Sequence, residues 1–393
     1  MTPSAGIPRG VWMLGFVSLF MDVSSELIHS LLPVFMVTSL GATALMVGVV
    51  EGVAEATALI VRVFSGTISD WLGRRKGLTV LGYGLGAISK PMFALALTVH
   101  WVFVARFMDR IGKGIRGAPR DALIADLTPP EIRGAAYGLR QSLDTVGAFV
   151  GPLLAIGLMV LWAGDFRAVF WFAVIPAVIS VLILVLGVHE PGAGRGRSRP
   201  ASPVEWRSLS EFSTNYWWIV VAGGVFTLAR FSEAFLILRA QQLGLADSFA
   251  PLVLVIMNVI YALSAYPFGR LADRMSHGKL LAAGLAVLIL SDLVLAQASG
   301  LAAVTAGVVL WGLHMGMTQG LLAAMVAGAA PANLRGTAFG FFNLVGGIAM
   351  LIASVLAGLL WDVLGAAVTF YAGAAFSVLA LAMLILRRGS RIS

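Results

Sequence analysis

Long apolar runs, broken by short polar stretches, set the pattern of this chain. Runs of membrane-spanning length lie at about 11–38, 44–66, 77–99, 101–122, 135–162 and 168–188. A second set lies at about 216–238, 249–268, 279–298, 302–327, 336–360 and 366–386. A helix needs about 20 apolar residues to cross roughly 30 Å of hydrocarbon, so the pattern predicts about 12 transmembrane helices. Between the two sets, residues 189–215 hold Pro191, Gly192, Gly194, Arg195, Arg197, Arg199, Pro200 and Pro203. A polar, basic stretch so rich in helix breakers reads as a linker. It divides the chain into an N-terminal six-helix half (1–188), the linker (189–215) and a C-terminal six-helix half (216–393).

Composition agrees and excludes a soluble enzyme. Of 393 residues, 59% are hydrophobic and 12% charged, against roughly 45–50% and about 25% in soluble domains. The net charge of +8 comes from 27 Lys and Arg against 19 Asp and Glu. The basic residues fall between apolar runs, which makes them topology signals and contacts to anionic lipid rather than a nucleic-acid surface. Arg74, Arg75 and Lys76, then Arg133, the linker arginines including Arg207, then Arg270, Arg274 and Lys279, and finally Arg387, Arg388 and Arg391 all fall on one side if each run crosses once. The opposite loops offer little beyond Arg167 and Arg239. Both termini and the linker are therefore expected in the cytoplasm, with the protein in the cell membrane. The first apolar run is too long, and too acidic, for a cleavable signal peptide. There are no cysteines, which removes disulfides, thiolate metal sites and cysteine nucleophiles. No cofactor is expected, and the chain is expected to be a monomer.

The two halves repeat. Gly66-Thr-Ile-Ser-Asp70 returns as Gly269-Arg-Leu-Ala-Asp273, an offset of 203. Glu131-Ile-Arg133-Gly-Ala-Ala-Tyr-Gly138 returns as Asn333-Leu-Arg335-Gly-Thr-Ala-Phe-Gly340, an offset of 202. Two matches at nearly one offset indicate a six-plus-six duplication. Transporters built of repeats hold their substrate near the bilayer midplane, where the halves meet.

The stretch Gly66-Thr-Ile-Ser-Asp70-Trp71-Leu-Gly73-Arg74-Arg75-Lys76 resembles the loop motif between helices two and three of the major facilitator superfamily, with Trp71 where that family often has Arg. Gly269 to Arg274 resembles its weaker second copy. Gly147-Ala-Phe-Val-Gly151-Pro152 resembles the glycine-proline motif of the superfamily's drug/proton antiporters. The resemblance implies an all-α integral membrane fold of two six-helix repeats, and secondary transport with some support for export. Physically, Gly66 permits close helix approach, and Asp70 can accept from a helix N-terminus and pair with Arg74 or Arg133. Arg120, Asp121, Asp126, Asp273 and Arg274 join the expected cytoplasmic gate, with a plain positive-inside loop as the alternative. Gly151-Pro152 either bends helix five or allows close packing of small residues.

Ionisable residues inside spans are costly and are functional candidates by default. Asp22, Glu26 and His29 are spaced to share one helical face, and Glu51 and Glu55 stand one turn apart. The fourth run carries Arg106, Asp109, Arg110, Lys113 and Arg116, the third Lys90 beside Pro91, the fifth Arg140 and Asp144, and the seventh Arg230 and Glu233. Asp22 and Glu26 are the leading proton carriers, since two carboxylates in one low-dielectric site do not readily ionise together. Arg110 or Arg106 could bias them or bind an anionic substrate. Family exporters often carry a functional Arg ahead of a Gly-x-Gly, which Gly112 and Gly114 resemble. A structural ion-pair network is the bland alternative for all these charges.

Asp22, Glu26 and His29 also supply oxygen and nitrogen ligands suited to a divalent transition metal. His314, Gln319, Asn258 and Asn343 are polar candidates in the second half, or interhelical hydrogen-bond glue. Trp217 and Trp218 read as interfacial anchors. No Gly-x-x-x-x-Gly-Lys-Ser/Thr loop is present, which disfavours an ATP-driven pump. The sequence thus predicts a proton-coupled secondary transporter working by alternating access, exporting a drug-like amphiphile or an organic anion. A metal transporter, a lipid flippase and a non-transporting sensor are its alternatives.

Overall fold

The computed structural model describes residues 7–72, 75–190, 210–272, 274–318, 320–331 and 334–389. The linker stretch 191–209, Arg74, Asp273, Gln319, Asn333 and Arg391 lie outside the described residues, as do the side chains of Asp70, Arg387 and Arg388. The protein is all-α, a multi-pass membrane protein of about 12 spans in two six-helix repeats. Its helices are α1 (Arg9–His29), α2 (Leu32–Thr38), α3 (Ala44–Leu72), α4 (Arg75–Ala94), α5 (Val99–Leu127), α6 (Arg133–Leu161) and α7 (Phe166–Gly187). They continue as α8 (Thr214–Leu228), α9 (Ala234–Gln242), α10 (Leu252–Ala272), α11 (His277–Ala296), α12 (Leu301–Thr318), α13 (Leu321–Ala329), α14 (Arg335–Leu364) and α15 (Ala366–Gly389).

Among the described residues, nine helical stretches are long and apolar enough to cross a membrane. The three other expected spans fall on α4, with four glycines and Lys90, on α5, with five charges between Arg106 and Arg116, and on the pair α8 and α9. Three expected runs are broken. The first divides at Ser30 and Leu31, because Pro33 lacks an N–H and its ring would clash with the His29 carbonyl one turn back. The tenth divides at Gly320, whose φ of +73° suits glycine. The seventh divides at residues 229–233, which contain no proline or glycine. At an offset of 203, the α1–α2 break overlaps this one, so the duplication includes the interruption.

Two compact units form: residues 1–31 with 57–203, and residues 32–56 with 204–393. In the first, α1 packs on α6 and α7, and α4 on α5 and α7. In the second, α8 packs on α14 and α15, and α11 on α12 and α15, the same scheme one duplication later. Glycines make the matching contacts. A Cβ on Gly82 of α4 would lie 2.7 Å from the Gly112 carbonyl of α5, and one on Gly284 of α11 would lie 2.5 Å from Thr318 of α12. Gly114 seats α5 on Val61 of α3, as Gly316 seats α12 on Ser264 of α10. Each glycine pair is 202 residues apart.

Arg167 and Arg239, the two arginines expected on the far side, each close a helix C-terminus. Arg167 Nη2 donates to the Ala96 carbonyl beyond α4, and Arg239 donates to the carbonyls of Leu295, Ala296 and Ala298 at the end of α11. Guanidinium groups there satisfy orphan carbonyls and complement the helix dipole.

Within the second unit, the first turns of α3 sit against α14. A Cβ on Gly358 would lie 2.5 Å from the Ala44 carbonyl. The Asp362 carboxylate accepts from Ala44 N–H at 3.0 Å and Leu45 N–H at 2.8 Å, capping α3. Asp362→Ala is expected to cost about 1 kcal/mol, the usual worth of a cap. Thermal unfolding in detergent checks it, and an unchanged midpoint would show that water caps α3 equally well.

Candidate functional site

The first unit gathers most of the charges predicted to act. On α1, Asp22 faces Arg116 of α5, with Oδ1 3.8 Å from Nη2. The Asp22 side chain is 27% exposed whereas Arg116 is 6% exposed, so the acid is the more open of the pair. Arg116 also lies over the Tyr83 ring, 4.7 Å from its centroid. Its Nη1 is buried with no hydrogen-bond partner among the described residues. One turn along α1, Glu26 Oε2 lies 3.3 Å from His29 Nδ1.

Lys90 of α4 donates to Asp109 of α5 at 2.7 Å and to Ser25 of α1 at 3.0 Å. Arg106 approaches the other Asp109 oxygen at 4.0 Å. Lys90, Arg106, Arg110 and Arg116 are all buried, with Asp109 the one buried acid beside them in this unit among the described residues. Four buried basic residues against one buried acid give this unit an excess of buried basic groups among the described residues.

Close packing explains why these groups meet. Gly147 and Gly151 of α6 face α1 at its two acids. A Cβ on Gly147 would lie 2.7 Å from the Leu19 carbonyl and 3.0 Å from Asp22 Cβ. One on Gly151 would lie 2.9 Å from the Val23 carbonyl and 3.0 Å from Glu26 Cβ. The helix runs on through Pro152 to Leu161, so the motif works here by close approach. Gly112 and Gly114 act likewise, pressing α5 onto α4 and α3. Gly151→Ala therefore forces α1 and α6 apart, at a cost of about 1–3 kcal/mol as for other overpacked interiors. The measurement is the unfolding temperature, and a wild-type value would show that α1 shifts freely.

At the Arg75 end of the unit, Asp121 is a hub for Arg120 at 3.1 Å, Arg140 at 3.3 Å and Arg62 at 3.8 Å. Arg140 also pairs with Asp144 at 2.9 Å. Asp126 pairs with Arg75 Nε at 3.1 Å, while Arg133 donates to the Thr128 carbonyl at 3.4 Å. Gly66 lies 3.4 Å, by its absent Cβ, from Ala118 of α5. In the second unit Arg274 is exposed.

Sequence reasoning named the α5 face but favoured Arg110 or Arg106 over Arg116 as the partner of Asp22. It named Arg75 in the loop motif without pairing it to Asp126, and it passed over Asp362. The three side chains proposed as metal ligands are divided between two pairs, Asp22 with Arg116 and Glu26 with His29. Among the described residues, no group of three or more His, Asp or Glu side chains is placed to hold a metal. Glu51 is buried and Glu55 half-buried on the part of α3 that belongs to the second unit. His314 is fully buried, its Nδ1 2.8 Å from the Gly284 carbonyl, which ties α12 to α11. Trp217 packs edge-on against Tyr216 and Phe341.

A family model described as Major Facilitator Superfamily matches residues 14–239 and 228–392. An uncharacterized MFS-type transporter of Methanocaldococcus jannaschii is 29% identical over 380 residues, covering 95% of this chain and 93% of the relative. The probable galactarate/D-glucarate transporter GudP of Escherichia coli is 34% identical over 166 residues, 40% of this chain and 36% of its own. The solved structure of the nucleoside transporter NupG, as its D323A mutant, superposes with a TM-score of 0.81 at 12% identity, over 96% of this chain and 99% of that one.

Proposed function

The chain belongs to the Major Facilitator Superfamily, a family of transporters, and from that premise we propose that it is a proton-coupled secondary transporter of a small organic anion. The observation that carries this reading is the buried basic group Lys90, Arg106, Arg110 and Arg116 beside two partly exposed acids, Asp22 and Glu26. Guanidinium groups recognise carboxylates in bidentate fashion, which suits them to a carboxylate-bearing solute. A relative named for two sugar dicarboxylates supports the same chemistry.

Arg116 is shared. With Asp22 ionised, the guanidinium is held by the acid at 3.8 Å. A proton on Asp22 releases it to the carboxylate of a solute, so proton and anion load together and cross together. The halves 1–188 and 216–393 alternate access about the midplane, with the linker 189–215 and both termini in the cytoplasm, as the Lys and Arg distribution requires. The cluster of Asp121, Asp126, Arg75, Arg120 and Arg140 serves the cytoplasmic gate, together with Gly66, Asp70, Arg74, Arg133, Asp273 and Arg274. A second reading, export of a drug-like amphiphile in exchange for protons, is favoured by the resemblance of Gly147 to Pro152 to the antiporter motif.

Proteoliposomes loaded with a pH dye separate the two. Galactarate, an amphiphilic organic cation and a divalent metal are each added outside. Anion cotransport acidifies the lumen on adding galactarate, whereas exchange alkalinises it on adding the amphiphile. No response to galactarate together with alkalinisation by the amphiphile would overturn the anion reading.

A further inference from the structure

Away from the α1–α5 site, the second unit holds a buried acid that the transport scheme leaves unused. Asp292 on α11 is 0% exposed. Neither of its carboxylate oxygens has a hydrogen-bond partner among the described residues. The side chain occupies space left by Gly373 of α15, where a Cβ would lie 2.8 Å from Asp292 Oδ2 and 3.0 Å from the Phe231 ring. Acid and ring therefore press on the same glycine. Phe231 belongs to the non-helical stretch between α8 and α9, and packs against Phe235, Trp311 and Phe370 with ring centroids 5.5–5.6 Å away.

None of the charged and titratable groups described on the neighbouring elements hydrogen-bonds to the Asp292 carboxylate. On α12, His314 meets Gly284 of α11. On α9, Arg239 binds the carbonyls that end α11. The break contributes Arg230, which lies over the Phe226 ring, and Glu233. On α15 the titratable residues are Tyr371 and, at its far end, Arg387 and Arg388, and α11 itself adds His277 and Lys279 at its start. No ion pair reaches Asp292 among the described residues.

An ionised carboxylate in this position would be a buried charge without donors, which proteins avoid. To lose a proton, the group must reach water or a cation, and Phe231 and α15 are the neighbours packed at Gly373 beside its Oδ2. We propose that Asp292 is a second proton-binding site, in the C-terminal unit, whose occupancy controls whether the break between α8 and α9 stays packed. A proton and a helix interruption then form one equilibrium, which a pH gradient can drive. The proposal deepens the proton-coupled reading above, yet its test needs no transported solute, so the two fail separately.

The absence of cysteine makes the test direct. Ser232→Cys places a single thiol in the break, at a position 8% exposed. Its labelling by a small neutral maleimide is followed between about pH 6 and about pH 9, in the Asp292 and Asp292→Asn backgrounds. The ratio of the two rates cancels the thiol's own ionisation. It is expected to rise by up to about tenfold per pH unit while the packed form dominates. Infrared spectroscopy of the folded protein is expected to show a protonated-carboxyl band that Asp292→Asn removes and that Gly373→Ala, which crowds the acid without changing charge, shifts. A flat labelling ratio, or a band that survives Asp292→Asn, would overturn the proposal. Should Asp292→Asn fail to fold, the Gly373→Ala shift decides, and an unmoved band counts against a protonated Asp292.

Discussion

Asp22→Asn is expected to abolish anion-driven proton movement while leaving the protein folded. Asn is close in shape to a protonated Asp, so Gly147 of α6 still finds its seat on the α1 backbone. What disappears is the competition for Arg116, which the acid now holds at 3.8 Å. With the guanidinium permanently released, the solute still binds and exchanges across the membrane, but no proton accompanies it. Lumen acidification should fall below about a tenth of wild type, corresponding to more than about 1.4 kcal/mol of lost coupling. Exchange of labelled galactarate should persist. Proton movement at the wild-type rate would remove Asp22 from the coupling role. Loss of both activities in a folded variant would make the acid part of the solute site instead.

The second large effect is on stability. Asp109 is 3% exposed and takes the ammonium of Lys90 at 2.7 Å, with Ser89 also within reach at 3.3 Å. Removing its charge leaves the Lys90 ammonium buried without the carboxylate it donates to. Breaking one side of a buried pair costs about 3–5 kcal/mol, chiefly because the surviving charge stays desolvated. Asp109→Asn should therefore lower the unfolding temperature far more than Asp362→Ala. Its defect should be relieved in part by adding Lys90→Met, since the double variant buries one fewer unpaired cation. Equal unfolding temperatures for the single and double variants would show that the ammonium is compensated from elsewhere.

The spans were legible because hydrocarbon permits few solutions for a backbone: apolar runs near 20 residues become helices. The break before Pro33 falls inside a run read as one span, although a missing N–H and a ring clash account for it. The break at residues 229–233 has no such signal, since Ala-Arg-Phe-Ser-Glu carries no breaker. Only its position one duplication after the α1–α2 break marks it. Within the site, periodicity placed Arg106, Arg110, Lys113 and Arg116 along α5, but not at a height relative to α1. Gly86 of α4 leaves the space where Arg116 comes up to α1, since a Cβ there would lie 3.2 Å from Arg116 Nη1 and 3.4 Å from Met21 Sδ. Asp292 escaped notice because a lone acid in an otherwise apolar run gives no spacing pattern, and only its packing shows that it is unpartnered.

The cap on α3 bears on how the protein is made. Ala44 and its acceptor Asp362 are 318 residues apart in the chain. At a synthesis rate of about 5–20 residues per second, Asp362 emerges roughly 15–60 s after Ala44. Throughout that interval the opening N–H groups of α3 have no Asp362 to bond to, and residues 32–56 have no second unit to join. The first unit can close around residues 57–203 in the meantime, but this hairpin of α2 and early α3 must wait in the membrane for its acceptor. Truncation before α14 should thus leave it the most protease-sensitive part of an otherwise folded N-terminal unit.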